Sequence, residues 1–122
     1  MAKKILIVDD EPNIVISLEF LMKKEGFAVA VANDGDEALG LVASFNPDLV
    51  LLDVMMPKKS GFEVCEALRA DPQYAGLKIV MLTAKGRDTE MAKGLAIGAD
   101  AYVTKPFSTR ELVDKVKEML AV

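Results

Sequence analysis

Runs of apolar residues alternate along the chain with stretches in which apolar residues recur at helical spacing. The apolar runs lie at 5–8, 28–31, 49–52, 79–82 and 101–103, the second and the last being weaker than the others. Between them apolar residues recur three or four positions apart, as Ile14, Leu18 and Leu21 do, which is typical of amphipathic helices. The pattern predicts five strands and five helices in strict alternation.

The predicted helices have recognisable starts and ends. Pro12 suits the first turn of helix 1, and Gly26 is placed to end that helix. Three later helices begin with a capping residue followed three positions later by a glutamate, a pairing that can satisfy free backbone N–H groups. The pairs are Asp34 with Glu37, Ser60 with Glu63, and Ser108 with Glu111. Pro47 and Pro72 follow helices 2 and 3 as stops.

Strict alternation of strands and helices predicts a three-layer α/β fold. The connections between strands are too long for hairpins, so right-handed crossovers should place helices on both faces of a parallel sheet. Continuous apolar runs belong to central strands, so strands 1, 3 and 4 should be central and strands 2 and 5 should be edges. We therefore predict a doubly wound (βα)5 domain with strand order 2-1-3-4-5, filling residues 1–122.

Composition and charge exclude several classes of function. Lysine and arginine number 15 against 19 acidic residues, giving a net charge of −4, and no basic run exceeds two residues, which argues against direct nucleic-acid binding by this domain. The chain has no histidine and one cysteine, so thiol or imidazole catalysis is not expected. The apolar runs are too short to span a membrane. We expect a cytoplasmic protein without membrane contact.

Polar residues follow the predicted strands at their carboxyl ends, where open parallel sheets hold their sites. They are Asp9 and Asp10 after strand 1, Asp53 after strand 3, Thr83 after strand 4, and Lys105 after strand 5. Because neighbouring strands lie about 4.8 Å apart, the three aspartates should converge on one pocket at the switch point between strands 1 and 3.

The converging carboxylates predict a cation site. Ionised carboxylates about 4 Å apart repel by roughly 4 kcal/mol per pair at an effective dielectric of 20, and a divalent cation removes that repulsion. Carboxylate oxygens without histidine or cysteine suit Mg²⁺ or Mn²⁺. An ammonium group from Lys105 and a hydroxyl from Thr83 would complete a site for a phosphoryl group. One carboxylate would then be the nucleophile and form an acyl phosphate.

Four ordered motifs closely resemble the receiver domain of two-component response regulators. They are Ile7-Val8-Asp9-Asp10-Glu11-Pro12, the stretch from Asp53 to Gly61 (DVMMPKKSG), Leu82-Thr83-Ala84, and the stretch from Gly98 to Phe107 (GADAYVTKPF). The resemblance covers the whole chain. Chemotaxis receivers have the flavodoxin-like sheet order 2-1-3-4-5, so the family supports the predicted order by analogy.

The resemblance implies a phosphoacceptor and its metal ligands. Asp53 would take a phosphoryl group from the phosphohistidine of a sensor histidine kinase or histidine phosphotransfer protein. Asp10 and Asp53 would bind Mg²⁺ directly, Mn²⁺ being a substitute, and Asp9 would act through a bound water. Met55, two residues past the acceptor, would give the cation its backbone carbonyl.

The resemblance also implies a two-state switch. Lys105 would pair with a phosphoryl oxygen, Thr83 would move to hydrogen-bond another, and Tyr102 would rotate inward behind it. The surface of helix 4, strand 5 and helix 5 would change and control a downstream protein or a fused output domain. Such a domain is a signalling switch rather than an enzyme with a separate substrate, although it catalyses its own phosphorylation and slow dephosphorylation. The family also suggests a cis bond between Lys105 and Pro106.

Each site residue has a plainer interpretation when taken alone. Asp9 and Asp10 suit a helix start, Thr83 suits a helix cap, and Tyr102 suits an edge strand. For the other residues the plain interpretation is favoured. The side chains of Met55 and Met56 would be packing residues, Cys65 would be a small apolar residue on helix 3, and Lys58 and Lys59 would be solvated charges that could also steer a partner.

Two other classes of function compete with a receiver. A flavodoxin-like carrier would bind a flavin phosphate at the same switch point, but three acidic residues, Asp9, Asp10 and Glu11, occupy that loop and the chain has no tryptophan to stack on a flavin. A Mg²⁺-dependent phosphatase with an aspartyl nucleophile would have that nucleophile in a D-x-D motif on one strand, together with a substrate cap. The candidate nucleophile Asp53 on strand 3 is followed by Val54 and Met55 and so lies in no D-x-D motif, and there is no cap insertion.

The output and the lifetime of the signal stay open at the level of sequence. The chain could be a single-domain regulator or the receiver of a longer protein. Regulators with winged-helix outputs often have two acidic residues before the aromatic of strand 5, whereas Ala101 follows Asp100 here, which argues against that mode of dimerisation. In the family, the positions of Met55 and Lys85 influence hydrolysis of the acyl phosphate. An apolar Met55 predicts slow self-dephosphorylation.

Overall fold

The computed structural model describes residues 2–56, 59–84 and 88–122, apart from the side chains of residues 88, 90 and 91. Within these ranges five strands alternate with five helices, as predicted. The strands are β1 (Lys4–Val8), β2 (Ala28–Ala32), β3 (Leu49–Asp53), β4 (Lys78–Ala84) and β5 (Ala101–Lys105). The helices are α1 (Pro12–Lys24), α2 (Gly35–Phe45), α3 (Gly61–Arg69), α4 (Asp88–Ala96) and α5 (Thr109–Leu120), and a 3₁₀ turn at Pro72–Tyr74 precedes β4.

The strands form one parallel sheet in the order β2-β1-β3-β4-β5, which confirms the predicted topology. Every residue of β3 is buried, and so are most residues of β1 and β4. The strands β2 and β5 are mostly half-buried. The continuous apolar runs therefore mark the three central strands, because helices cover both of their faces.

Alternate residues of the central strands enter two separate apolar layers. Leu6, Val50 and Ile79 pack on one face of the sheet with residues of α2 and α3, while Ile5, Leu49 and Val80 pack on the other face with residues of α1 and α5. The helical contributions to the first layer include Ala38, Val42, Val64, Cys65 and Leu68, and those to the second include Leu18, Met22, Leu112, Val113 and Val116. Cys65 lies on α3 as a buried apolar residue, as predicted.

The three predicted capping residues begin their helices. Backbone N–H groups of Glu37, Glu63 and Glu111 donate to the side chains of Asp34, Ser60 and Ser108 at 2.9, 3.3 and 3.0 Å respectively. At Ser60 the pairing is reciprocal, because the Glu63 carboxylate accepts from the Ser60 N–H. Helix α1 ends before Gly26, whose φ of +91° is left-handed, as the sequence predicts.

No helix among the described residues is long and apolar enough to cross a membrane.

Gly61 fixes the start of α3 against the end of β3. A Cβ atom at this position would overlap the carbonyl oxygen of Asp53 and lie 2.9 Å from the Cα of Val54. The N–H of Gly61 also donates to the carbonyl of Val54 at 2.9 Å. Only glycine allows α3 to begin this close to the last residue of the central strand.

We therefore predict that Gly61→Ala lowers the free energy of unfolding by about 1–3 kcal/mol, the usual effect of overpacking. The matched control is Gly40→Ala in α2, where an added methyl group meets nothing within 4 Å and should stabilise the helix by about 0.5–1 kcal/mol. Urea denaturation of the three proteins measures both effects. Equal stabilities for the two variants would contradict the proposed contact.

Candidate phosphoryl site

The carboxyl ends of four strands bring the predicted site residues together. Asp9 follows β1 directly, and Asp53 and Lys105 are the last residues of β3 and β5. Thr83 is the penultimate residue of β4 and pairs with Thr104 of β5. The strands β4 and β5 thus run slightly further than their apolar runs indicate, and Thr83 lies in a strand rather than at a helix cap.

Lys105 bridges two of the aspartates. Its Nζ lies 2.9 Å from Oδ2 of Asp9 and 3.2 Å from Oδ1 of Asp53. The side chain of Asp9 is fully buried and that of Asp53 is 10% exposed, so these ion pairs are little screened by solvent. One ammonium group therefore ties together the ends of β1, β3 and β5.

Asp9 is held by contacts at both of its carboxylate oxygens. Oδ1 accepts from the N–H of Glu11 at 2.9 Å, and Oδ2 accepts from Lys105. The backbone N–H of Asp9 donates to the carbonyl of Ala32 at the end of β2. The helix-start interpretation of Asp9 explains the contact with Glu11 but not the buried contact with Lys105.

The three aspartates form a cluster that fits a divalent cation. Oxygen atoms of Asp9, Asp10 and Asp53 all lie within 4.8 Å of one another. Asp10 is exposed, so the cluster is reached from solvent. A set of carboxylate oxygens with no nitrogen or sulfur ligand suits a hard cation such as Mg²⁺, and the residues therefore fit the predicted metal.

The pKa of Asp53 is raised from 3.8 to about 6, chiefly by burial. The negative charge of Asp9 contributes to the rise, while Lys105 and the backbone N–H of Met55 oppose it. For Lys105, burial lowers the pKa, but the hydrogen bond to Asp9 and the charges of both aspartates outweigh burial and raise it. The site therefore contains a strained carboxylate beside a firmly protonated lysine.

Thr83 has a buried hydroxyl group near the carboxyl end of β4, the strand that pairs with β3. The residue is 1% exposed, and its Oγ1 has no hydrogen-bond partner among residues 2–56, 59–84 and 88–122. A buried hydroxyl without a partner is unfavourable. Thr83 is therefore available to a ligand that offers it an acceptor oxygen.

Two predicted residues lie at the surface around the site. Tyr102 is on the edge strand β5 and is 38% exposed, and Met55 is 62% exposed. The packing interpretation of Met55 is therefore wrong, because its side chain points to solvent in the connection from β3 to α3, while Met56 is partly buried and packs on the core. The bond between Lys105 and Pro106 is cis, as the family resemblance suggests.

Some features of the site have no signal in the sequence, and some predicted ones lie outside the described residues. The effect of the Met55 N–H on the pKa of Asp53 and the close approach of Gly61 to the Asp53 carbonyl both come from the backbone. Lys59 lies 4.0 Å from Asp36 across the surface, so it is largely a solvated charge. Lys58 and Lys85 lie outside the described residues.

The raised pKa of Asp53 predicts a pH-dependent stability. Between about pH 4 and 6 the folded chain holds a proton on Asp53 that the unfolded chain has lost, so stability falls as the pH rises through this range. At pH 8 the ionised carboxylate destabilises the fold by about 3 kcal/mol, at about 1.4 kcal/mol per pKa unit. In metal-free buffer Asp53→Asn should therefore be more stable than the wild type at pH 8, by up to that amount.

The difference in stability between Asp53→Asn and the wild type should decrease towards pH 4. Mg²⁺ should stabilise the wild type and not the variant. The control is Asp114→Asn on α5, whose side chain is 70% exposed and should leave the pH dependence unchanged. Denaturation curves at several pH values measure the effect. Parallel curves for the wild type and Asp53→Asn from pH 4 to 8 would contradict this account.

Comparisons with known proteins agree with the fold. A family model described as the response regulator receiver domain matches residues 5–117. Among solved structures, one assigned as a response regulator from Chloroflexus aurantiacus is 36% identical, with a TM-score of 0.96 over 100% of both chains. The chemotaxis protein CheY4 of Vibrio cholerae is 32% identical, with a TM-score of 0.91 over 98% of this chain and 99% of that one.

The signal receiver domain of a signal transduction histidine kinase from Syntrophus aciditrophicus is 30% identical, with a TM-score of 0.91 over 98% of this chain and 91% of that one. The chain therefore belongs to the response regulator receiver domain family of two-component signalling.

Proposed function

We propose that residues 1–122 form a cytoplasmic receiver domain that accepts a phosphoryl group on Asp53. The donor is the phosphohistidine of a sensor histidine kinase or a histidine phosphotransfer protein. The observation that supports Asp53 best is its position at the end of the central strand β3, within 3.2 Å of the Lys105 ammonium and inside the cluster of three aspartates. A carrier of flavin phosphate would meet repulsion from the same carboxylates.

In this proposal a carboxylate oxygen of Asp53 attacks phosphorus and forms an acyl phosphate. The phosphorus–nitrogen bond breaks, and the imidazole of the donor leaves with the bonding electron pair. With a pKa of about 6, Asp53 is about nine-tenths ionised at pH 7 and able to attack. Lys105 already contacts Asp53 and would follow the new negative charge to a phosphoryl oxygen.

Asp10 and Asp53 would hold Mg²⁺ directly, the backbone carbonyl of Met55 would join them, and Asp9 would act through a bound water. Mn²⁺ would substitute for Mg²⁺. When bound, the cation supplies positive charge that lowers the repulsion among the carboxylates and the incoming phosphoryl oxygens. Asp9 also holds Lys105 at 2.9 Å, which orients the ammonium towards the acceptor.

Thr83 and Tyr102 would convert the new charge into a change of surface. The Thr83 hydroxyl is buried and without a partner among the described residues, which supports its turning to donate to a phosphoryl oxygen. Movement of Thr83 would leave space behind it for the exposed ring of Tyr102. The face made by α4, β5 and α5 would then control a downstream protein or a fused output domain.

The domain would act as a switch and not as an enzyme on a separate substrate. Its own chemistry is phosphorylation of Asp53 and slow hydrolysis of the product. Met55 is exposed beside the acceptor, and its thioether has little capacity to orient an attacking water by hydrogen bonding. This supports a long-lived acyl phosphate.

Incubation with acetyl phosphate and Mg²⁺ tests the proposal. We expect the intact protein to gain the mass of one phosphoryl group, to lose it to hydroxylamine, and to gain nothing without Mg²⁺. Asp53→Asn should gain nothing because the amide is not a nucleophile. The matched control is Asp48→Asn, just before the opposite end of β3, where the amide oxygen can still accept from the Lys4 N–H.

Equal phosphorylation of Asp53→Asn and the wild type would contradict the assignment of the acceptor. A wild type that binds Mg²⁺ but gains no mass from acetyl phosphate or from a phosphorylated histidine phosphotransfer domain would contradict the proposed function.

A further inference from the structure

A second glycine contact lies at the connection from β3 to α3. Gly35, the first residue of α2, is buried. A Cβ atom there would overlap the Cβ of Lys59, lie 2.8 Å from the carbonyl oxygen of Lys59 and lie 3.0 Å from Val64. The start of α2 therefore packs directly on the backbone that precedes α3.

Close packing, and not backbone conformation, explains the glycine at this position. The described glycines with positive φ are Gly26 and Gly98, whereas Gly35 lies in the first turn of an α-helix. Alanine would fit that backbone and would favour the helix. Its methyl group would overlap the Cβ of Lys59, which is fixed to the main chain, and would also press on the Lys59 carbonyl oxygen.

The contact is steric rather than electrostatic. Lys59 Nζ lies 4.0 Å from the Asp36 carboxylate, and both side chains are well exposed, at 40% and 58%. An exposed pair at that distance contributes little. The position of the Lys59 backbone therefore depends on the absence of a side chain in the glycine at position 35.

The same connection also contacts Asp53. Gly61 rests on the Asp53 carbonyl, and the Met55 backbone acts to lower the pKa of the Asp53 carboxyl against the larger effect of burial. The backbone from Lys59 to Gly61 thus joins the first turn of α2 to the end of β3. A displacement at Lys59 has little room to be absorbed, because Gly61 already touches the strand.

We propose that Gly35 is a positioning residue for phosphoryl transfer, because its lack of a side chain lets the Lys59 backbone take the position from which Gly61 contacts the Asp53 carbonyl. The inference rests on the proposed function for its chemistry. It assigns a role to α2, a helix that supplies no residue to the phosphoryl site. Phosphorylation and metal binding should both depend on this contact.

The test compares Gly35→Ala with Gly40→Ala, which adds the same methyl group to the same helix where nothing lies within 4 Å. Three properties are measured: Mn²⁺ affinity by electron paramagnetic resonance, the Met55 amide chemical shift in metal-free protein, and the rate of phosphorylation by acetyl phosphate. For Gly35→Ala we expect a shifted Met55 amide and a loss of about threefold or more in Mn²⁺ affinity and rate, since small misplacements at reacting groups are costly. Gly40→Ala should match the wild type.

A second variant separates positioning from general destabilisation. Lys59→Gly removes the Cβ that the new methyl group would meet, so Gly35→Ala should do less harm in that background than in the wild type. The resulting double-mutant cycle should give a coupling in Mn²⁺ affinity. If Gly35→Ala alone does not fold, the double variant compared with Lys59→Gly gives the effect of the methyl group on the Met55 amide and on Mn²⁺ affinity.

Unchanged Met55 shift and Mn²⁺ affinity in Gly35→Ala, or effects that Lys59→Gly does not reduce, would overturn the inference. These two readouts do not require phosphorylation. If the wild type binds Mn²⁺ but accepts no phosphoryl group, the proposed function is contradicted. The Met55 shift and the Mn²⁺ affinity then still decide whether Gly35 is a positioning residue.

Discussion

The contact between one lysine and two buried aspartates determines the properties of this site. Lys105 reaches Asp9 and Asp53 from the end of β5, and its charge offsets the repulsion between carboxylates that the sheet has brought together. The compensation is partial, because burial still raises the pKa of Asp53 to about 6. A divalent cation would reduce the repulsion between the carboxylates that Lys105 leaves uncompensated. The fold thus holds Asp53 as a buried carboxylate whose charge is only partly balanced.

The fold tolerates the repulsion between the buried carboxylates because the rest of the sheet is strongly apolar and stabilises the folded state. Helices cover both faces of β1, β3 and β4, and all polar residues of the site come at one end of these strands. The backbone adds two close contacts: Gly61 touches the last residue of β3, and Gly35 touches the backbone of Lys59 in the connection to α3. Together they fix the start of α3 beside Asp53. Rigid placement of this kind is what lets a small change of charge be converted into movement elsewhere.

Much of this arrangement follows from the sequence, and the remainder has clear physical causes. Apolar runs and capping pairs predict the element order and the edge strands, and residues at strand ends predict the meeting of Asp9, Asp53 and Lys105. The exposure of Met55 was not predicted, because a methionine in a connection has the same pattern whether it packs or faces solvent. The contacts of Gly35 and Gly61 depend on the distance between backbones far apart in sequence, for which one chain offers no signal.

The most direct measurement is a carbon-detected NMR titration of the Asp53 carboxyl group in metal-free protein and again with saturating Mg²⁺. We predict a pKa of about 6 for the Asp53 carboxyl group without metal and a clearly lower pKa with Mg²⁺. A metal-free value near the ordinary 3.8 that Mg²⁺ leaves unchanged would contradict the claim that this site is a strained cluster of carboxylates.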